Sequence, residues 1–356
     1  MRRYLLPVAG LVALAYPILT MPFPVYQRLG ALVLLAAIGA SAWNIVGGYA
    51  GQVSVGHAIF FGVGAYSAVL GYHYLGLPPI FGVPVGMAVS ASIAALIGGP
   101  TLRLSGHYFS MATIAVAELA RVLVTTSDTL GGAQGLTGPT IPRTVLDLSF
   151  TSSMPYYYIF LAVLVAILAL TWKIENSRMG FYLRAIKDSE RAARSLGVAV
   201  GRYKLYAYML SAALAALAGG LYFTMFGFID PESGLGILIS VKMLIMAALG
   251  GAGLLFGPLV GALILVPLEE ISNSLLGGKG AGLTFVVYGY IIVIIARFMP
   301  GGLLGATQQE LLRVGQILAG TAALAWFCTR VDYGIYIVVP GVLVALCIGA
   351  YKGRSI

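Results

Sequence analysis

The sequence predicts an all-α polytopic membrane bundle of about 10–12 transmembrane segments, some broken by glycine. Three observations carry that expectation. Hydrophobic residues make up 60% of the 356 and charged residues only 9%, and mean hydropathy is +0.95, outside the usage of soluble domains. Apolar runs recur along the chain at lengths near those needed to cross a hydrocarbon core of about 30 Å. Charge is concentrated in one island, where Lys173, Arg178, Arg184, Lys187, Arg191, Arg194, Arg202 and Lys204 outnumber Glu175, Asp188 and Glu190.

The apolar runs before the island lie near Leu5–Thr20, Leu29–Val46, Val55–Leu75, Ile80–Leu102, Tyr108–Thr126 and Tyr156–Trp172. Those after it lie near Leu205–Phe226, Leu235–Leu249, Leu254–Val266, Leu283–Phe298, Ile317–Cys328 and Ile335–Tyr351. Short Lys/Arg-rich connections stay in the cytoplasm, so Arg2 and Arg3 put the N-terminus inside, and six crossings return the chain inside at Lys173. The same count places Arg103, Arg313, Lys352 and Arg354 inside and Asp128, Asp147, Asp230, Glu232, Glu269 and Glu270 outside. Arg28, Arg143, Lys279 and Arg330 run against the trend. Orientation and the island absorb the net charge of +9, which leaves no nucleic-acid partner to infer. Residues 1–28 read as a retained transmembrane segment, because Pro17, Pro22 and Pro24 follow it without a small-x-small cleavage site.

No bound metal is expected, since the three histidines are scattered and no Cys/His cluster has zinc spacing. Cys328 and Cys347 fall at different membrane depths, which argues against a disulfide.

Within the island, 173–204, two short amphipathic helices are predicted, 180–188 and 189–196. Asp188 or Ser189 suits the second N-cap, Glu190 the positive helix end, and Gly197 a left-handed stop. Phe181, Leu183, Ile186, Ala192, Ala193 and Leu196 supply apolar faces. Such a surface fits either anionic membrane lipid or a cytoplasmic protein partner.

Asn44 to His57 is the most polar stretch in the apolar region, and Gly47, Gly48, Gly51 and Gly56 interrupt whatever helix precedes it. Irregular backbone at membrane depth survives only where protein or a watery cavity satisfies its amides. Asn44, Gln52, Ser54 and His57 are therefore candidate substrate-pathway residues, with close helix packing as the alternative. Gly250-Gly-Ala-Gly253 with Gly257 echoes this run in the same orientation, either as a parallel duplication or by chance in a chain with 47 glycines. Glu118 and Arg121 are spaced to meet on one helical face, as a neutralised pair or as substrate contacts. Lys242 reads as an isolated structural cation and Arg297 as one that snorkels inward. The outer loop 127–155, with Gly131-Gly-Ala-Gln-Gly135, reads as plain turn chemistry, and Glu269 and Glu270, also outside, as a solvated helix end or as partners of basic residues there.

No Gly-x-x-x-x-Gly-Lys-Ser/Thr motif occurs; Gly278-Lys279 is followed by glycine. An intramembrane enzyme is disfavoured, because neither a nucleophile with its base nor convergent carboxylates stand out.

Asn44-Ile-Val-Gly-Gly-Tyr-Ala-Gly-Gln-Val-Ser-Val-Gly-His57, continuing to Tyr66, resembles the glycine-rich signature of branched-chain amino acid ABC transporter permeases of the LivM type. Gly106-His-Tyr108-Phe to Glu118, Gly131 to Leu136, Ser177 to Asp188, Leu249 to Pro258 and Arg297 to Gly305 match in the same order. Arg191-Ala192-Ala193-x-x-x-Gly197 is similar to the core of the coupling loop in such importers, with its acidic residue, Glu190, one place early.

The resemblance implies a permease domain over 29–305, with 306–356 an added hydrophobic hairpin. It implies Arg184, Asp188, Glu190, Arg191, Ala192, Ala193, Arg194 and Gly197 at the ATPase contact, and Tyr108, Glu118 and Arg121 beside Asn44 to His57 on the pathway. Implied partners are a second permease subunit, two cytoplasmic ATP-binding subunits and an extracytoplasmic substrate-binding protein, which the outer loop 127–155 would face as a candidate gate. ATP would be held by those partners and no cofactor by this chain, in a prokaryotic inner membrane. The implied cargo is branched-chain or other hydrophobic amino acids, with urea or short amides as the alternative. An ion-coupled secondary transporter is the rival class, poorly supported by Glu118, Arg121 and Lys242.

Overall fold

The structure is a computed structural model describing residues 12–104, 106–138, 147–275, 289 and 301–306. Among these, seven helices are long and apolar enough to cross a membrane, which makes the chain an all-helical, multi-pass bundle. Cys328, Cys347, Arg297 and the hairpin 306–356 beyond Ala306 lie outside the described residues, as do 1–11 of the predicted first segment.

Residues 12–19 are helical and end in a turn at 20–22. Pro24 then starts α1 (Pro24–Asn44), where its missing N–H costs nothing. The chain passes through a π-helical turn, Ile45–Tyr49, and irregular residues 50–57 before α2 (Ala58–Leu75), which Gly76 ends in the left-handed region. α3 (Pro79–Thr101) also opens on proline, α4 spans His107–Thr125, and α5 (Ser153–Glu175) is capped by the Ser152 hydroxyl. The island supplies α6 (Arg178–Asp188) and α7 (Glu190–Ser195). Then come α8 (Val200–Phe226), α9 (Pro231–Leu235), α10 (Ile237–Gly250), α11 (Gly257–Leu275) and the short α12 (Gly302–Gly305).

The bundle has two distinguishable ends. At the island end, Ser110 near the start of α4 donates to the Val53 carbonyl (2.6 Å), and α8 begins at Val200. At the other end, hereafter outer, Tyr74 in the last turn of α2 donates to the Thr129 carbonyl (2.9 Å). Also there, Tyr156 of α5 donates to the Thr224 carbonyl of α8 (2.9 Å), and a two-residue β pair joins Leu136–Thr137 to Phe228–Ile229. Arg28, on the outer side by the charge count, lies over the Phe226 ring at 5.8 Å, a cation–π contact that accounts for its position.

α2, α3 and α8 pack backbone to backbone. A Cβ on Gly64 would stand 1.9 Å from the Ala216 carbonyl oxygen, and one on Gly219 1.8 Å from that of Phe61, so only glycine allows this approach. α1 lies against α5, α8, α10 and α11 and is the most enclosed span, with 78% of its apolar window buried. α4 is the least enclosed at 17%, and thus leaves a face for lipid or protein.

Candidate functional site

At the island end, Ser189 accepts from the Ala192 N–H and caps α7, while Gly197 takes φ +84° and stops it, as its sequence requires. Leu183 and Ile186 of α6 and Ala193 of α7 are buried; Ile186 and Ala193 form a small cluster with Val200 of α8. Arg184, Asp188, Arg191, Ala192, Arg194 and Gly197 are exposed, and so are Phe181 and Leu196. Arg184 donates to the Glu175 carbonyl (2.7 Å) and lies over the Phe181 ring at 5.1 Å. The result is a basic outer face flanked by two apolar side chains, held down by an apolar inner face.

Lys187, itself exposed, and the half-buried Glu190 reach toward the bundle. Lys187 Nζ donates to the Gly48 carbonyl of the π turn (2.8 Å). Glu190 accepts from Gln52 Nε2 (3.3 Å) and pairs with Lys204 of α8, whose side chain is 2% exposed. Tyr49 donates to Glu175 Oε2 at 3.4 Å. The island is thus tied to the broken helix after α1.

That broken helix meets the second glycine run. Asn44 Nδ2 donates to the Leu254 carbonyl (3.1 Å), and Asn44 Oδ1 accepts from the Gly253 N–H (2.8 Å). Both glycine runs follow a helix descending to the island end and precede one returning from it, and a Cβ on Gly48 would lie 2.4 Å from Gly253 N. Ser211 donates to the Ala42 carbonyl (2.6 Å), so its hydroxyl accepts from His57 Nε2 (2.8 Å), and His57 Nδ1 accepts from Ser54 Oγ (2.9 Å). Asn44, Gln52, Ser54 and His57 are all buried, and none lines the described cavity.

Tyr108, near the island end of α4, is exposed. Ten and thirteen residues further, and so about 15 and 20 Å nearer the outer end at 1.5 Å per residue, Glu118 and Arg121 form an ion pair. Arg121 also reaches Glu232 of α9 at 3.5 Å.

Glu232 in turn lines an outer cavity of about 640 Å³ between α1, α2, α8, α9, α10 and α11. Its walls include Leu35, Ala36, Phe61, Tyr222, Met243 and Met246, and its polar groups are Asp230, Glu232, Ser233, Lys242, Glu269 and Glu270. Here the structure corrects the sequence expectation. Lys242 is not isolated but donates to Glu269 Oε1 at 2.6 Å, and Glu269 is a partner across α10 and α11 rather than a solvated helix end. Depth counting offered a signal for this pair: both residues fall in the outer halves of antiparallel helices.

Comparison with known proteins gives consistent matches. The profile of the family described as branched-chain amino acid transport system / permease component matches residues 26–296. The high-affinity branched-chain amino acid transport system permease protein LivM of Salmonella typhimurium (strain LT2) is 30% identical over 299 residues, 77% of this chain and 68% of that protein. LivM of Escherichia coli (strain K12) is 28% identical over 329 residues, 85% of this chain and 76% of that one. The permease protein LivH of Salmonella typhimurium is 33% identical over 152 residues, 43% of this chain and 48% of that protein.

Proposed function

The chain belongs to the branched-chain amino acid permease family, and on that premise we propose that it carries branched-chain or other hydrophobic amino acids inward across a prokaryotic inner membrane. In this reading it is one of two membrane subunits above two cytoplasmic ATP-binding subunits, and an extracytoplasmic binding protein delivers the cargo to the outer end. The N-terminus and the island face the cytoplasm, and residues 29–305 form the translocating unit.

One observation carries the reading. The island presents a basic outer face while its inner side is fastened to the π turn by Lys187 and Gly48 (2.8 Å) and by Glu190 and Gln52 (3.3 Å). A basic lipid-binding surface needs no such attachment to a broken membrane helix. A coupling element does, because a push on α6 and α7 must reach the helices that line the route.

Arg184, Arg191 and Arg194, with Asp188 and Ala192, form the ATPase contact. Ser189 and Gly197 set the length of α7, Ala193 anchors it, and Glu190 transmits its position to Gln52 and Lys204. On the membrane side, Tyr108, Glu118 and Arg121 occupy the open face of α4. Charges on a span whose window is 17% buried call for a protein or aqueous neighbour, and the second permease subunit supplies it, with the route along the seam. Asn44, Gln52, Ser54 and His57 act as positioning residues of the junction beneath that route.

The test uses the assembled transporter in proteoliposomes with its ATPases and binding protein. Arg184→Glu, Arg191→Glu and Arg194→Glu together are expected to leave insertion intact and ATP hydrolysis running while leucine uptake falls about tenfold or more, as for a lost docking contact. Unchanged uptake in that variant removes the docking role. Uptake driven by an ion gradient without the ATPases overturns the importer reading.

A further inference from the structure

The outer cavity has a composition that membrane packing alone does not require. An apolar cleft between helices is filled by side chains or lipid tails, yet Lys242 and Glu269 face each other here at 2.6 Å, with 34% and 23% of their side chains exposed. Charges within a bundle are costly, and where they occur they pair and commonly mark a pathway or a ligand; Asp230, Glu232 and Glu270 gather on the same lining. Leu35, Ala36, Phe61, Met243 and Met246 form the remaining wall, and Met side chains adapt to apolar groups of varied shape. The volume of about 640 Å³ falls within the roughly 300–1,000 Å³ common for small-molecule sites.

We infer that this cavity binds the zwitterion of an α-amino acid with an apolar side chain, its carboxylate on Lys242 and its ammonium on Glu269. This rests on the permease reading above and specifies the site within it. A solute with one charge of each sign and an apolar group matches all three parts of the lining, exchanging the protein's ion pair for two charge-assisted contacts. The excess of acids, Asp230, Glu232 and Glu270, suits the ammonium end. Glu232 also touches Arg121, which links the cavity wall to the charged face of α4. Urea and short amides carry no such charges and leave the pair unanswered.

The complete transporter in proteoliposomes tests the assignment. Lys242→Met and Glu269→Gln are each expected to reduce ATP-driven leucine uptake about tenfold or more, the scale of a lost charge-assisted contact. The exchange variant Lys242→Glu with Glu269→Lys restores a pair between α10 and α11. Recovery of complex assembly without recovery of uptake supports the assignment; recovery of uptake makes the pair structural and overturns it.

A second measurement needs no transport. Ala36→Cys, in a complex whose Cys328 and Cys347 are replaced by serine, is labelled with a thiol reagent. Leucine slows labelling if the cavity is its site, while leucinamide, which lacks the carboxylate, and urea leave the rate unchanged. Labelling unaffected by leucine overturns the inference. Leucine uptake that persists in Lys242→Met and Glu269→Gln overturns the site alone and leaves the permease reading standing. A wild-type complex that takes up urea and no leucine overturns both.

Discussion

At the island end, Asn44, Gln52, Ser54 and His57 are at most 8% exposed, and their side chains bond one another, Glu190, Ser211 and distant backbone. At the outer end, Glu118, Arg121, Lys242 and Glu269 are ion-paired but keep between 23% and 47% of their side chains exposed. Both ends set polar groups within apolar helices, by different chemistry. Buried, directional bonds, most of them between neutral groups, fix one backbone against another. Exposed ion pairs hold little stability and are free to exchange partners. The junction near the island is therefore built to hold its shape, and the outer end to permit a change of contacts.

The contrast breaks most readily at Glu190. Glu190→Ala leaves Lys204, 2% exposed, without its carboxylate, and stranding a buried cation whose partner is part-exposed costs about 2 kcal/mol. A fall in the melting temperature of the detergent-solubilised protein, largely recovered by adding Lys204→Met, is the expected result. Asn44→Leu is next: it strands the Gly253 N–H and the Leu254 carbonyl, at about 2 kcal/mol, and the same thermal assay reads it. At the outer end, Glu118→Gln is expected to leave the melting temperature in place while reducing uptake in proteoliposomes. A melting shift as large as that of Asn44→Leu would mean the outer charges are structural too, and the contrast would collapse. The smallest effect is at Gly39, where a Cβ would meet only the mobile end of Met243, 3.0 Å away. Gly39→Ala should leave melting unchanged, whereas Gly48→Ala, with its Cβ 2.0 Å from Asn44 Oδ1, should lower both melting and uptake.

Much of the fold was legible locally. Apolar run lengths locate the spans, and Ser189 and Gly197 delimit α7, because caps and stops are encoded within a few residues. The break after α1 is visible as Gly47 and Gly48, and it takes the form of a π turn, a common device where a helix must yield. What periodicity does not encode is the partner across the chain. The polarity of Asn44 marked it for the pathway, but its partners Gly253 and Leu254 are more than 200 residues away, and they turn that polarity into a clasp. Lys242 looked solitary because its carboxylate lies 27 positions on, on the next helix but at matching depth. Glu118 and Arg121, three apart on one helix, needed no such distant information and pair as their spacing predicts.

The glycine seams between α2 and α8 have a mechanical consequence. Where Gly64 meets Ala216 and Gly219 meets Phe61, no side chain stands between the backbones, so no flexible group is there to absorb a displacement and a tilt of one helix is passed to the other. α8 is then a lever arm. Lys204 at one end is gripped by Glu190 of the island, and Tyr222 and Phe226 at the other form part of the cavity wall, about 33 Å along the axis from Lys204 to Phe226 at 1.5 Å per residue. A tilt of a few degrees at the gripped end displaces the far wall by an ångström or two, enough to reshape a pocket without unfolding any part of the bundle.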